Sequence, residues 1–520
     1  MIHRNQSLFT ILPGDQTEQL KMLILGQGGT GKSTLIRAIS ETFRHYDKLD
    51  ILAKCATTGI AATDIGASTL HSWAGLTHNL PKDENWLDRS SKNSVAKRQS
   101  NIKGKEFLIV DEISMEDKTT AYCLSEILGK SRALEEKARP HEPFGSMHII
   151  KCGDFHQFPP VGNPTGALYV DRPDKDNQRA LLGREIFLQF DKVVILHQQN
   201  RIKDKTWTDI LSRLRIGECN ESDLDEINKL VLTNPDCDIP DFSKAPWDQA
   251  ILVTPRHSVR HLWNDHAIAK HCMKTGNQRY IVAAEDNSRN VNEDLSMEAK
   301  LAIASLADSK TGKLPDVVQM AIGMKAMVLL NLATEADIAN GTRGEIQDII
   351  LDEREEMSIV DEDGGIRLKY PPALILFKPD KGTNLIFQGL PHGVIPLTPS
   401  IAKFSVTGRT GKQFKITRHQ YAMTAGYAFT DYKSQGQTIE YVIIDIGKPP
   451  TGALSPFSVY VALSRSRGRD TIRLLRNFDV NLFQNHPSEA LRTEMKRLEE
   501  LNEVTKKNWI THQNLRALAP

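Results

Sequence analysis

The sequence predicts an α/β protein built on parallel sheets, and three stretches carry that expectation. Met22-Leu23-Ile24-Leu25 is an unbroken apolar run that feeds into Gly26-Gln27-Gly28-Gly29-Thr30-Gly31-Lys32-Ser33. Phe107-Leu108-Ile109-Val110 is a second such run and stops at Asp111-Glu112. Met147-His148-Ile149-Ile150-Lys151-Cys152 is a third and stops at Gly153-Asp154. Apolar runs without polar alternation are the mark of strands covered on both faces, as in a parallel sheet. In such sheets ligands gather at the carboxyl ends of the strands, which is where each run meets its glycines or acids.

Bulk properties fit this class. A chain of 520 residues has room for more than one domain, at roughly 100–200 residues each. Hydrophobic residues make up 40% and charged residues 25%, so a sizeable core can form. The formal net charge is only +1, and any nucleic-acid-binding surface must therefore be local. The cysteines (Cys55, Cys123, Cys152, Cys219, Cys237 and Cys272) include no C-x-x-C pair, which argues against a zinc site or disulfide framework and fits a reducing compartment. Cys55 and Cys152 lie in strand-like runs and read as core filler. No apolar stretch is long enough to span a bilayer and the N-terminus lacks a signal-peptide core, so an intracellular enzyme with no membrane partner is expected.

Taking the elements in order, the glycine-rich stretch matches G-x-x-x-x-G-K-[ST] in full, and Leu35, Ile36, Ile39 and Phe43 follow it at helical spacing. A strand, a glycine-rich turn and a helix start make a phosphate cradle, because glycines let backbone N–H groups turn inward and the helix N-terminus adds partial positive charge. Gly28, Gly29, Thr30, Gly31, Lys32, Ser33 and Thr34 are the expected nucleotide contacts. Lys32 would reach the β- and γ-phosphates of ATP, and Ser33 would ligate Mg²⁺. Ahead of the cradle, the amide of Gln6 could read the adenine edge. Gln6 as a plain surface residue is an equal reading, and Gln16 or Gln19 could compete.

Ile51 to Ala56 reads as another strand, leading through Thr57-Thr58-Gly59 to Ser68-Thr69-Leu70-His71-Ser72-Trp73. Small hydroxyls followed by His and Trp suit a phosphodiester backbone and a stacked base. Between Gly75 and Lys105 periodicity fades, and Arg89, Lys92, Lys97, Arg98, Lys103 and Lys105 occur without an intervening acid. A solvated basic loop and a small insertion against nucleic acid both fit that run. At the second apolar run, Asp111 would hold Mg²⁺ through its water shell and Glu112 would orient the attacking water. An amphipathic helix is expected around Leu124, Ile127 and Leu128. After the third apolar run, Gln157 in a proline-stiffened loop could sense the terminal phosphate. Val193 to Leu196 is a further strand, followed by Arg201 and a helix carrying Trp207, Ile210, Leu211 and Leu214.

In this order, GQGGTGKS, CATTGIAATDIGASTLHSW, FLIVDEIS, KCGDFHQFPPV and LHQQNRI resemble successive motifs of a superfamily 1 (subclass B) DNA helicase of the RecD and petite-integration-frequency type. The wording resembles most the helicase portion of Helitron-type transposable elements and their fungal relatives, and the nickase domain of complete Helitron proteins has no counterpart here. Ala250 to Arg256, Gly323 to Val328, Asn340 to Gly344, Thr430 to Thr438 and Tyr460 to Arg465 continue the resemblance. Asn340-Gly341 is also a hairpin-turn signal, and Asp363-Gly364-Gly365 separates two β-rich runs. Tyr432 stands where most relatives have His; its ring can stack, but a proton-donating contact could be lost, which bears on the strength of coupling.

The resemblance implies two RecA-like P-loop domains with parallel sheets plus a small β-barrel (SH3-like) insertion in the second. Residues 1–200 would form the first domain, with a wedge or basic insertion at about 76–105. Residues 201–320 and 420–480 would form the second, 321–419 the insertion, and 481–520 a helical or flexible tail. It implies an ATP- and Mg²⁺-dependent enzyme that moves 5′→3′ on single-stranded DNA and opens duplex junctions, with no stable protein partner implied. Lys32, Asp111, Glu112, Gln157, Arg201 and Arg465 would be catalytic, Arg465 as arginine finger. Thr58, Thr69, His71, Thr254, Arg256, Ser434 and Gln435 would hold the strand. A nuclear site of action in DNA repair, recombination or telomere maintenance follows from the relatives alone. A DNA-stimulated ATPase switch without unwinding activity, left from a transposon, is the alternative.

Overall fold

The computed structural model describes residues 18–77, 87, 92–133, 135, 139, 141–288, 295–306, 310–332, 338–355, 359–361, 363–382, 386–449 and 452–517. The chain divides into two units: Met1–Thr58, Ser68–Asn200 and Pro487–Pro520 make the first, Gly59–Ala67 with Arg201–His486 the second.

The first unit is organised by β1 (Lys21–Gly26), β2 (Leu52–Ala56), β3 (Ser68–Thr69), β4 (Phe107–Asp111), β5 (His148–Gly153) and β6 (Lys192–Leu196). All pair in parallel, in the order β3-β2-β4-β5-β1-β6. Leu23, Ile24, Leu25 and the whole of β4 are buried, as apolar runs require; each such side chain contributes about 1.5–3 kcal/mol of hydrophobic stabilisation. The glycine-rich strand β1 and the Asp-Glu strand β4 are separated by β5, the RecA-like arrangement. Parallel pairing sends all three strand ends to one edge, so the loops after Gly26, Asp111 and Gly153 meet there. Cys55 and Cys152 are buried in this sheet, which raises the pKa of both thiols.

The helices follow the expected faces. Lys32–His45 buries Ile36, Ser40 and Phe43, with the Phe43 ring edge-on to Phe107 at 5.0 Å. Lys118–Arg132 starts at Asp117, whose carboxylate accepts the Thr120 N–H at 2.6 Å and caps the first turn. The stretch without sequence periodicity holds a surprise, because Lys92–Ile102 is a helix. Its inward face is filled by Arg98 and Ile102, both buried; a Cβ on Gly75 would lie 2.8 Å from Arg98 Cγ. A cation that buries its aliphatic stem leaves no apolar stripe in the sequence, and burial lowers the Arg98 pKa. Arg89 lies outside the described residues. The final helix, Glu489–Ala517, returns to β6, with Leu491 and Leu498 buried and Arg184 paired to Glu494 at 3.0 Å.

The second unit has its own parallel sheet, ordered Ala428–Phe429, Ile251–Val253, Val442–Ile444, Ile472–Leu474. Helix Lys205–Ile216 buries Trp207, Ile210, Leu211 and Leu214 against it, the four positions read from spacing. It ends at Gly217 (φ 73°), where a Cβ would stand 2.2 Å from the Asn485 carbonyl oxygen, so only glycine fits. The β-rich remainder forms three sheets: Ile395–Leu397, Leu374–Pro379, Arg343–Ile350, Lys325–Val328 and Met423–Ala425; Val317–Met320, Tyr280–Ala283, Ile366–Leu368 and Ile359–Val360; and Ser400–Thr407, Gln413–Gln420 and Glu285–Ser288. Strands before residue 321 and after residue 419 thus complete the sheets of the expected insertion. Asn340-Gly341 turns the chain into Arg343–Ile350, with Thr342 N–H on the Ala339 carbonyl at 2.9 Å. Asp363-Gly364-Gly365 links Ile359–Val360 to Ile366–Leu368 as an antiparallel pair. Helix Gly59–Asp64 packs here too: Asp64 pairs with Lys381, and Gly59 lies so close to Asn331 that a Cβ would come within 2.9 Å. Among the described residues no helix is long and apolar enough to cross a membrane.

Candidate nucleotide site and strand-binding residues

The glycine-rich loop leaves β1 at Gly26, where a Cβ would come 2.6 Å from Thr30 Oγ1. Gly29 and Gly31 have φ of 92° and 94°, values that glycine adopts without strain. Lys32 Nζ donates to the carbonyls of Gly26 and Gln27 at 2.6 and 3.0 Å, and Thr30 Oγ1 donates to Gln27 at 2.9 Å. The ammonium therefore sits over the loop. Gly28 and Thr30 are buried, Ser33 is half-buried and Thr34 is exposed.

Asp111 and Glu112 end β4, both buried. Glu112 has φ 56°, a left-handed turn that reverses the chain at this point; its N–H donates to Asp111 Oδ1 at 2.9 Å, and its carbonyl accepts the Thr57 hydroxyl at 2.8 Å. Burial, reinforced by the neighbouring Glu112 carboxylate, pushes the Asp111 carboxyl up to about 7 against the pull of Lys32. On the next strand end, Asp154 accepts the His156 N–H at 3.1 Å. Gln157 is buried, and its Oε1 has no hydrogen-bond partner among the described residues. Lys32, Asp111, Glu112 and Gln157 thus share one edge of one sheet. Oxygen donors of Ser33 and Asp111 suit Mg²⁺, and a carboxylate whose ionisation is opposed by burial fits a dication that would reverse that cost.

Two residues of this site escaped the sequence reading. Gln199 Nε2 donates to the Gly28 carbonyl at 2.9 Å, and the Asn200 N–H donates to the Gly29 carbonyl at 2.9 Å. Both lie a few residues beyond the end of β6 at Leu196, in LHQQNRI and just ahead of Arg201.

Arg201 and Arg465 lie together in the second unit. Arg201 Nη1 donates to the Ser464 carbonyl at 3.2 Å. Arg465 is buried, with Nε on the Val461 carbonyl at 2.8 Å, Nη2 on Ser464 Oγ at 2.8 Å and Nη1 on the Gln437 carbonyl at 3.1 Å. It holds the Thr430 to Thr438 stretch in place. Within that stretch Ser434 and Gln435 are buried, Ser434 Oγ donates to the Asp431 carbonyl at 2.6 Å, and the Tyr432 ring is half exposed.

The expected strand contacts are unequal. Thr69 caps helix Leu70–Ala74 by accepting the Ser72 N–H at 3.3 Å, and Thr58 and His71 are half-buried in the first unit. Thr254 is fully buried; its hydroxyl donates to Asp445 Oδ2 at 3.0 Å, so contacting a strand would require it to leave that carboxylate. Arg256 leans on the same group, its Nε 3.7 Å from Asp445 Oδ2. A cavity of about 430 Å³ beside them is lined by His257, Arg260, His261, Lys313 and Lys433. The spacing His257, Arg260, His261, Asn264 is one face of helix His257–Thr275, a polar signal that could have found it. Gln6 lies outside the described residues.

Strand order, glycine loop and the Asp-Glu step define a RecA-like member of the P-loop class of α/β proteins. Comparison narrows this: residues 11–224 match the PIF1-like helicase family. The chain is 26% identical to the ATP-dependent DNA helicase PIF1 of Candida albicans, over 92% of this chain and 55% of the relative. It is also 26% identical to the ATP-dependent DNA helicase Pif1 of Bdellovibrio bacteriovorus, over 87% of this chain and 84% of the relative. The chain spans about half the length of the Candida relative. Among solved structures, the Pif1 helicase from Candida albicans is similar at TM-score 0.62 and 22% identity, covering 92% of this chain and 95% of that one. A Bacteroides Pif1 helicase in complex with ADP-AlF3 and single-stranded DNA gives 0.62 at 19% identity, covering 95% and 96%. These likenesses support the fold.

Proposed function

We propose that this chain is an ATP-driven DNA helicase that moves along single-stranded DNA, 5′→3′, and opens duplex. The observation that carries the reading is that the glycine loop with Lys32 after β1 and the buried Asp111-Glu112 step at the end of β4 meet at one edge of a parallel sheet, with β5 between the two strands. A sheet edge that only needed to be stable would not bury two adjacent acids there. The similarity to PIF1-like helicases adds the substrate, since relatives are named ATP-dependent DNA helicases.

In this reading Gly28 to Thr34 cradle the triphosphate and Lys32 leaves its two loop carbonyls for the β- and γ-phosphates. Ser33, and Asp111 through water, would hold Mg²⁺, which supplies charge neutralisation to the phosphates. Glu112 orients water, whose oxygen bonds to the γ-phosphorus as the bond to the β–γ bridging oxygen breaks. Gln157 Oε1, without a partner among the described residues, is suited to sense that change. Arg201 and Arg465 supply positive charge to the γ-phosphate, each worth about 10³–10⁵ in rate if it acts as a finger. Thr58, Thr69, His71, Arg256, Ser434 and Gln435 hold the strand, Thr254 stands behind Arg256 on the Asp445 carboxylate, and the cavity beside Lys433 adds cations to that set. Gln6 reads the base. A barrel-like insertion at 321–419 would help grip DNA, and a nuclear site of action goes with the reading.

The test is ATP turnover with and without single-stranded DNA, paired with release of a labelled strand from a tailed duplex. Single-stranded DNA should raise turnover, and the labelled strand should be freed. Lys32→Ala should lose both. Turnover unchanged in Lys32→Ala would end the proposal, and stimulated turnover without strand release would reduce the protein to a DNA-dependent ATPase.

A further inference from the structure

The phosphate loop has four consecutive carbonyls, and every one accepts a hydrogen bond. Lys32 Nζ serves Gly26 and Gln27, Gln199 Nε2 serves Gly28, and the Asn200 N–H serves Gly29. These donors differ in kind. In the proposed reaction Lys32 moves to the phosphates, and Thr30 Oγ1 keeps hold of Gln27. The donors to Gly28 and Gly29 come from outside the loop and have no reason to move.

A trans peptide is planar, so its C=O and the following N–H point in opposite directions. Tying the Gly28 carbonyl therefore aims the Gly29 N–H away from Gln199. Tying the Gly29 carbonyl aims the Thr30 N–H, which sits 3.3 Å from the Gln27 carbonyl and closes the turn. Glycines at positions 28, 29 and 31 offer almost no side-chain restraint of their own, so the turn depends on these outside ties.

Gln199 and Asn200 are themselves held. They follow β6, which among the described residues pairs with a strand on one side only, β1. On its other side the Val193 N–H donates to Thr505 Oγ1 at 3.0 Å and the Ile195 N–H donates to Asn502 Oδ1 at 2.9 Å. Asn502 and Thr505 lie three residues apart on the C-terminal helix, hence on one face. That helix is anchored by Leu491, Leu498 and the Arg184–Glu494 pair. Polar side chains thus stand in for a neighbouring strand and fix β6 along its length.

We propose that Gln199 is a positioning residue for the phosphate loop, and that Asn502 and Thr505 of the C-terminal helix hold it in place through β6. The inference rests on the loop being the nucleotide site. The test measures binding of a fluorescent ATP analogue with Mg²⁺ by the full chain, beside its melting temperature. Gln199→Glu and Gln199→Met cannot donate to Gly28 and should each weaken binding about 3- to 10-fold, the size of one lost hydrogen bond, with melting nearly unchanged. The Asn502→Ala/Thr505→Val pair should speed amide exchange at Val193 and Ile195 and weaken binding about 2- to 5-fold. Thr505→Ser, which keeps the acceptor, should behave as wild type in both readouts, whereas a merely structural contact would show its effect in melting alone. If wild type binds, Lys32→Ala does not, and both Gln199 variants bind as wild type, this inference is wrong while the nucleotide site stands. If Lys32→Ala binds as tightly as wild type, the nucleotide site itself is wrong. Faster exchange with unchanged binding in the double variant would remove the helix from the chain of cause.

Discussion

Two buried aspartates stand at the carboxyl ends of parallel strands, one in each unit, and their surroundings are opposite. Asp111 ends β4 with one backbone N–H as its donor, an acidic neighbour and the Lys32 charge. Asp445 follows Val442–Ile444 and is buried; the Thr254 hydroxyl at 3.0 Å and the Gly447 N–H at 3.3 Å donate to it, and the guanidinium groups of Arg476 and Arg256 lie 3.0 and 3.7 Å away as ion-pair partners. A buried carboxylate supplied with partners on several sides ties elements together. One held short of donors is left ready to bind a cation, at a cost to stability. The same sheet edge thus serves chemistry in one unit and architecture in the other.

The largest expected effect tests the chemical half. Asp111→Asn should cut ATP turnover by about 10²-fold or more, the scale of removing one group that organises charge at a reacting centre, with the fold intact by circular dichroism. If Asp445→Asn cut turnover as deeply without unfolding, the contrast would break. Next, Asp445→Ala should destabilise the protein by about 3 kcal/mol in urea unfolding, because it strips a buried carboxylate from two arginines; Asp111→Asn should stabilise it under the same conditions.

The pH dependence of that second difference sharpens the comparison further. With the Asp111 carboxyl raised to about 7 in the fold, the native state keeps a proton that the unfolded chain has already released above about pH 4. Wild-type stability therefore declines from pH 4 to pH 7 on this account and levels above 7. The melting-temperature advantage of Asp111→Asn, without nucleotide or Mg²⁺, should be small at pH 5 and full at pH 8. An advantage independent of pH would show that Asp111 carries no such penalty.

The smallest effect concerns Thr254. Thr254→Val removes one donor from Asp445 and should cost about 1 kcal/mol while leaving single-stranded DNA affinity unchanged. Weakened DNA binding at unchanged stability would move Thr254 from architecture to the strand, its role by resemblance.

How much of this was legible in the sequence follows from what each contact is made of. β1, β4, β5 and the helix with Trp207, Ile210, Leu211 and Leu214 announce themselves, because apolar burial writes a period into the chain. The phosphate loop is legible for a different reason: its φ values demand glycine at fixed positions. Helix Lys92–Ile102 was hidden because a buried arginine does the work of an apolar residue. Gln199 and Asn200 were hidden because they bond to backbone carbonyls far along the chain, and such bonds leave no spacing to read. Asn502 and Thr505 look like ordinary polar positions of an exposed helix until the unpaired side of β6 is beside them.

That last pairing has a consequence for handling the protein. A bare strand margin is a template on which a second molecule can lay its own backbone, and proteins guard against it by covering or charging the margin. The segment from Glu489 onward is such a cover. Shortening the chain before it would create a sticky flank, and a loss of monodispersity should appear before any loss of helix or sheet content.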